Sequence, residues 1–399
     1  MKTMFNKAFW LIIPVLAINA CKKDKDVTPP VVPEQNKVAF ITDNANRLYA
    51  ANAQTGLNLW TYNTNTYYGY IYGSPAVYKN TVVFTDYENE TVYCFNTETG
   101  ALNWEKSSIE LSWLCSPIIV NDVVYVGHSS YLLGLKLSDG SITIELPLYS
   151  SVNALNYSNG LIIANTCGGH LYGIEPSGNI KWEYLSNYSC YHNNPAIANK
   201  IIYIVDAGGK FSAVNITTGT EVWSKTINEY TENATPVYNN GMLFIASDYD
   251  NKMYAFDAAN GTLKHTYTLS TGQYVNGYMA PAILGEAVYI TSEEGTLFAF
   301  NVIDESIKWQ KALDLGGRSV KQRIPVKLDS RIEDYGFLSS VTIANDVIFI
   351  GAGKYLNAFD KEGNLKWQMA TTDDIYCSSP VILSDKDKVY RAGNAGIVE

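Results

Sequence analysis

Apolar and polar residues alternate in short runs along most of this chain, and the runs fall into a frame that recurs about every 40 residues. One full copy, residues 74–107, reads SPAVYKN TVVFTDYEN ETVYCFNTETG ALNWEKS. Its four period-2 segments, each closed by Asn, Asp or Gly, predict four short strands, named A to D here. Strand A opens with Pro75, Pro117, Pro195, Pro236, Pro281 or Pro380. Proline is tolerated there because the first residue of a strand need not donate to the ladder. Strand C repeats an apolar, aromatic, small, apolar order, as in LYAA, VYCF, LYGI, MYAF and LFAF.

Trp60, Trp104, Trp182, Trp223, Trp309 and Trp367 each follow the turn between C and D by four residues; Ile144 and His265 hold the same place, giving eight copies. An indole at that position buries a large apolar area and offers one N–H to a backbone acceptor, so it is expected to wedge between blades. The turn itself carries Gly56, Gly100, Gly140, Gly178, Gly219, Gly261 and Gly363, with Ser306 as the departure. The small position of strand C holds Ala50, Cys94, Gly134, Gly173, Ala213, Ala255, Ala299 and Ala358, as expected where a neighbouring blade packs closely.

These elements predict an all-β fold: an eight-bladed β-propeller of four-stranded antiparallel blades spanning residues 37–399. The first copy, KVAFITDNANRLYAANAQTGLNLW, has strands B, C and D but no A, whereas SSPVILS near the C-terminus is an A strand without partners. Pairing the two closes the ring and removes the sheet edges that invite aggregation. The final KVYRAGNAGIVE is then one strand more than the ring needs. Successive frame positions are 38 to 44 residues apart except for 58 between Trp309 and Trp367, so residues about 313–336 form an insertion rich in Arg and Lys.

The first twenty residues follow another logic. Lys2 and Lys7 precede the apolar run AFWLIIPVLAI, which ends at Ala20 before Cys21. Such a run is too short to span a bilayer and has the layout of a cleaved secretory signal. Cys21 resembles the lipidated cysteine of bacterial lipoproteins, and residues 21–36, charged and then proline-rich, read as a disordered tether. Residues 1–20 are therefore expected to be a signal peptide, with the chain anchored through Cys21 to the bacterial outer membrane, on its periplasmic or its surface-facing leaflet. The net charge of −10 and pI near 5.0 exclude a nucleic-acid partner, whose phosphates demand a Lys/Arg surface.

The frame resembles the pyrroloquinoline-quinone-type β-propeller repeat family across residues 37 to 399. Its length and leader are similar to those of the outer-membrane assembly lipoproteins of the BamB type, not to the longer quinoprotein dehydrogenases. Dehydrogenase membership would imply a quinone stacked between a Trp and a vicinal disulfide, with a calcium held by Glu, Asn and Asp. No two cysteines are adjacent in this chain, and Trp113 is the one Trp outside the docking frame and the leader. No cofactor is expected. His128, His170, His192 and His265 lack metal-ligand spacing, and DYENE and DYDN lack the glycine and terminal Glu of a calcium loop, so they read as Asx turns. No nucleophile elbow stands out either, and the chain reads as a non-enzyme.

One face is distinctive. Alternation of strands puts the D to A and B to C connections at the same end, and the D to A connections collect Tyr68, Tyr70, Trp113, Tyr191, His192, Asn193, Tyr274, Tyr278, Tyr335 and Tyr376. Tyr and Trp give rigid amphipathic contact area at low entropic cost, so this face is the candidate binding surface. Plugging of a wide channel is the alternative use of the same side chains. Cys115, Cys167, Cys190 and Cys377 fall on this end too, and a Cys167–Cys190 bridge is the favoured pairing if one forms. The functional expectation is a non-catalytic, lipid-anchored binding or scaffolding module of the envelope, working with a protein partner in outer-membrane protein assembly or capturing a glycan or peptide at the surface.

Overall fold

The computed structural model describes residues 36–64, 73–112, 115–186, 194–227, 234–247, 251–275, 279–317, 338–375 and 378–392. Cys21, the leader and residues 21–35 of the tether lie outside them. Residues 34–399 form one compact unit. Its strands build eight antiparallel sheets arranged as an eight-bladed propeller, each sheet in the order A, B, C, D from the axis outward. Blade 2 is representative, with strands Ala76–Tyr78, Thr81–Asp86, Thr91–Asn96 and Leu102–Lys106.

Ring closure follows the expected pairing. Strand A of blade 1 is Val381–Ser384 from the C-terminal end, and it pairs antiparallel with Asn36–Asp43, which is strand B. The surplus strand also has a place: Val389–Tyr390 pairs with the inner edge of Val381–Ser384, making blade 1 five-stranded and putting a strand on the channel side.

Hydrophobic cores sit between blades, not within them. Phe40 and Leu48 of blade 1 pack with Val82, Phe84 and Phe95 of blade 2, and seven further clusters repeat this around the ring. The docking frame explains the repeat. Every strand D position carrying the tryptophan lies directly across from the small residue of its own strand C, as in Ala50 with Trp60 and Gly173 with Trp182, and the register shifts by one immediately afterwards in all eight blades. The small residue therefore makes room for the indole of its own blade, not for the neighbouring blade as the sequence suggested. A Cβ on Gly173 would lie 2.2 Å from Trp182 Cε2.

Each indole then reaches the next blade. Its N–H donates to a carbonyl in the following C to D turn, as Trp60 does to Thr97 (3.0 Å), Trp104 to Leu137 (2.7 Å) and Trp182 to Ile216 (2.8 Å). Trp223, Trp309 and Trp367 do the same to Ala258, Lys361 and Ala53, the last closing blade 8 onto blade 1. The ring lies against the turn glycine: a Cβ on Gly219 would meet Trp182 at 2.7 Å. Glycine serves twice there, for positive φ and for the missing Cβ.

The two blades without tryptophan are compensated. At the junction of blades 3 and 4, Tyr125 donates its hydroxyl to the Pro176 carbonyl (2.6 Å) while Ile144 faces Gly178. Between blades 6 and 7, Tyr267 donates to Val302 (2.7 Å), and His265 Nδ1 lies 2.9 Å from Glu305 Oε1. Glu305, not Ser306, occupies the turn position, with φ of 64°. A Trp–Gly contact has been replaced by a His–Glu contact, two of the three exceptions to the frame meeting each other. All eight junctions thus carry one aromatic donor to a turn carbonyl, each worth about 1 kcal/mol beyond the area buried.

Candidate functional site

Backbone pairing confirms that the D to A and B to C connections share one end of the propeller. Residues leaving strand D donate to the B to C turn of their own blade, as Ser186 does to Gly169 and Leu269 to Asn251. Further along, the same connections pair with the next blade, through Leu111 with His128, Val275 with Ser292 and Leu338 with Ala352. Where they are described, these connections are tied by backbone hydrogen bonds to the B to C turns of their own blade and the next.

Of the expected binding residues, the structure describes Tyr274 alone; Tyr68, Tyr70, Trp113, Tyr191, His192, Asn193, Tyr278, Tyr335 and Tyr376 lie outside the described residues, as do Cys190, Cys377 and residues 318–336 of the insertion. Tyr274 is 44% exposed, and its backbone N–H is held by Glu294 Oε2 at 2.9 Å. Two tyrosines join it that the sequence reading passed over. Tyr149 is 76% exposed in the connection to blade 4, and Tyr87 is exposed in the B to C turn of blade 2. All the large exposed aromatic residues among those described are on this end.

Tyr149 heads a short aromatic stack. Its ring centroid is 4.5 Å from that of His170, which lies parallel to Tyr172 at 5.9 Å. His170 Nδ1 is hydrogen-bonded to Glu183 Oε1, and Gly168, whose N–H donates to Ser150 Oγ (2.6 Å), keeps the space beside Tyr149 open. Burial pushes the Tyr172 hydroxyl above the usual phenol range. The signal for Tyr149 was in the chain, but strand A of blade 4 opens without the proline that marks most of the other copies, so its connection was not delimited.

The acidic turns are structural where they are described. Asp86 accepts from the Asn89 backbone N–H (3.2 Å) and side-chain amide (2.7 Å), an Asx turn. Asp43 at the same position accepts from Ala45, Arg47 and the Tyr49 hydroxyl, and burial raises its pKa against those hydrogen bonds. Among the described residues no three His, Cys, Asp or Glu converge on a metal position. Cys94 fills the small position against Trp104 and burial pushes its thiol up to about 11. Cys167 is a free thiol, donating to Asn153 Oδ1 at 2.9 Å; Cys190, its partner in the favoured bridge, lies outside the described residues.

Comparison with known proteins places this geometry. The chain is 27% identical over 217 residues to an outer membrane protein assembly factor BamB of Francisella salina, covering 50% of this chain and 40% of that one. It is 22% identical over 307 residues to the BamB of Moranella endobia, covering 70% and 76%. The chain thus spans less than half the length of the first of these curated relatives. A tetrathionate hydrolase of Acidithiobacillus ferrooxidans is also similar, 20% identical over 75% of this chain and 58% of its own. Among solved structures, BamB from Moraxella catarrhalis superposes with a TM-score of 0.57 at 18% identity, covering 80% of this chain and 93% of that one. The dihydro-heme d1 dehydrogenase NirN gives 0.65 at 8% identity, over 85% and 74%, so the fold is shared with enzymes. A family model described as outer membrane protein assembly factor BamB matches residues 20–154 and 138–311, well over half of the sequence, and the chain belongs to that family of repeat propellers.

Proposed function

We propose that this chain is a lipid-anchored, non-catalytic propeller that scaffolds protein assembly at the bacterial outer membrane, using the D to A and B to C face to hold a protein partner. The observation that carries the reading is the placing of exposed aromatic side chains: Tyr87, Tyr149 and Tyr274 all project from that end. Exposed aromatic residues ringed by polar ones are what buried interface cores are made from. Membership of the assembly-factor family supports the process, and the leader-like residues 1–20, ending at Ala20 before Cys21, support the address.

The test is co-purification from membranes with the intact lipoprotein. The Tyr149→Ala, Tyr274→Ala double variant is expected to lose an outer-membrane assembly partner that the unaltered chain retains. Equal recovery of that partner would remove the face from consideration, and no such partner in either preparation would remove the scaffold reading. Cys21→Ser is expected to shift the protein from the membrane to the soluble envelope fraction.

Glycan or peptide capture is a second reading, favoured by the Tyr149–His170–Tyr172 stack, where an open aromatic face adjoins the Glu183 carboxylate. Protection of the domain from protease added to intact cells counts against capture at the cell surface.

A further inference from the structure

Around the axis, the residue that precedes strand A forms a belt joining one blade to the next. The Ser379 N–H donates to Ser74 Oγ (2.9 Å), the Ser74 N–H to Ser116 Oγ (2.9 Å), the Ser340 N–H to Ser379 Oγ (3.2 Å) and the Ala280 N–H to Ser340 Oγ (3.0 Å). On the far side, the Asn194 N–H donates to Thr235 Oγ1 (3.4 Å). Each of these hydroxyls spends a lone pair on its neighbour's backbone; Ser340 gives its proton to Met279 Sδ (3.8 Å), whereas a hydroxyl that only accepts, as at Ser74, Ser116 and Ser379, still has a proton to donate.

The fifth strand of blade 1 brings a cation to this belt. Val389–Tyr390 runs antiparallel to strand A and so returns toward the D to A end. The next residue, Arg391, reaches across the channel to blade 3, where Nη2 donates to the Pro117 carbonyl at 3.3 Å, beside Ser116. Burial holds its pKa down to about 10, and the Cys115 thiol is the neighbouring titratable group that acts on it. Its pKa still leaves it charged at neutral pH. Among the described residues no carboxylate pairs with it, although the chain as a whole is at −10. A partly buried cation without a counterion is costly, and the guanidinium fork, with one N–H on Pro117, keeps its other donors for a bidentate acceptor.

We propose that the channel mouth is an oxyanion site, formed by Arg391 and the serine hydroxyls of the belt at Ser74, Ser116 and Ser379, that takes a carboxylate. The carboxylate belongs either to a small organic acid or to the end of a polypeptide entering from the D to A end. This goes beyond the scaffold function above and stands without it.

Isothermal titration of the purified chain with malonate, with a pentapeptide bearing a free C-terminal carboxylate and with its C-terminal amide tests the site. Saturable, salt-sensitive binding of malonate or of the free-acid peptide, but not of the amide, is expected; the tighter ligand of the two names the source. Arg391→Gln is expected to weaken binding at least tenfold and Arg391→Lys less, with Lys361→Gln, at the opposite end, unchanged. No saturable binding by the unaltered chain, or equal affinity in Arg391→Gln, overturns the proposal. Where Arg391→Gln does not fold, modification of Arg391 by phenylglyoxal in the unaltered chain is read by mass spectrometry. Protection by malonate is expected, and unchanged modification overturns the proposal.

Discussion

Two glycines of this propeller offer a controlled test of the docking frame. Gly160 and Gly219 both adopt positive φ, 75° and 70°, but they differ in what a side chain would meet. A Cβ at Gly160 finds nothing within 4 Å, whereas at Gly219 it falls 2.7 Å from Cδ2 and 2.8 Å from Cβ of Trp182, across a blade junction. Alanine at either position bears the left-handed penalty of about 1–2 kcal/mol, partly offset by about 0.4–1 kcal/mol from a less flexible unfolded chain. Those contributions cancel in the comparison. Gly219→Ala alone must also displace an indole that is buried and fixed by its hydrogen bond to Ile216, an overpacking cost of about 1–3 kcal/mol. Gly219→Ala is therefore expected to be the less stable variant by about that amount. Urea unfolding followed by circular dichroism at constant slope gives the comparison. In a Trp182→Leu background the excess should shrink, since the smaller side chain vacates the space. Equal midpoints for Gly160→Ala and Gly219→Ala would refute the claim that the turn glycine is required by the neighbouring indole.

Other outcomes follow from the same geometry. His265→Trp alone should destabilise, because the indole would meet the Glu305 side chain, while adding Glu305→Gly should recover the loss; a double-mutant cycle is expected to give a coupling of about 1–3 kcal/mol, and additive effects would count against direct contact. Tyr49, Tyr93, Tyr125, Tyr203, Tyr267 and Tyr289 are buried, and desolvation pushes each hydroxyl from the usual phenol value of 10.0 up to about 12. Their folded-state pKa values are raised, so the stability they contribute is whole below pH about 10 and drains away as pH rises toward about 12. Tyrosinate absorbance should accordingly rise together with unfolding in that window, and ionisation of these tyrosines near pH 10 in a folded chain would contradict it. Deleting residues 378–399 removes strand A of blade 1 along with the inner strand, and should lower the melting temperature and expose the edge of Asn36–Asp43 to aggregation, read by light scattering.

The repeat was legible in the chain because strand alternation, turn residues and the tryptophan spacing are local patterns, set by neighbours a few residues apart. From them came the eight blades, the closure of the first copy by SSPVILS and the Asx reading of Asp86. Other features were not legible, because the groups that meet come from different blades. The residue across from Trp182 is Gly173 of its own blade, yet its hydrogen-bond acceptor is Ile216 of the next. His265 and Glu305 read as separate irregularities of the frame until the ring brought them to 2.9 Å. Ser74, Ser116 and Ser379 looked like ordinary residues before a proline; closure of the ring made them a belt. Arg391 had no assigned place, since a strand pairing on the inner edge of a closed blade leaves no periodic trace. Sequence by itself determined which segments are strands and how often they recur, because the alternation of buried and exposed positions is written residue by residue. Only the tertiary structure decided which side chains face one another across blades and across the channel, because those contacts depend on the closure of the ring and not on any spacing along the chain.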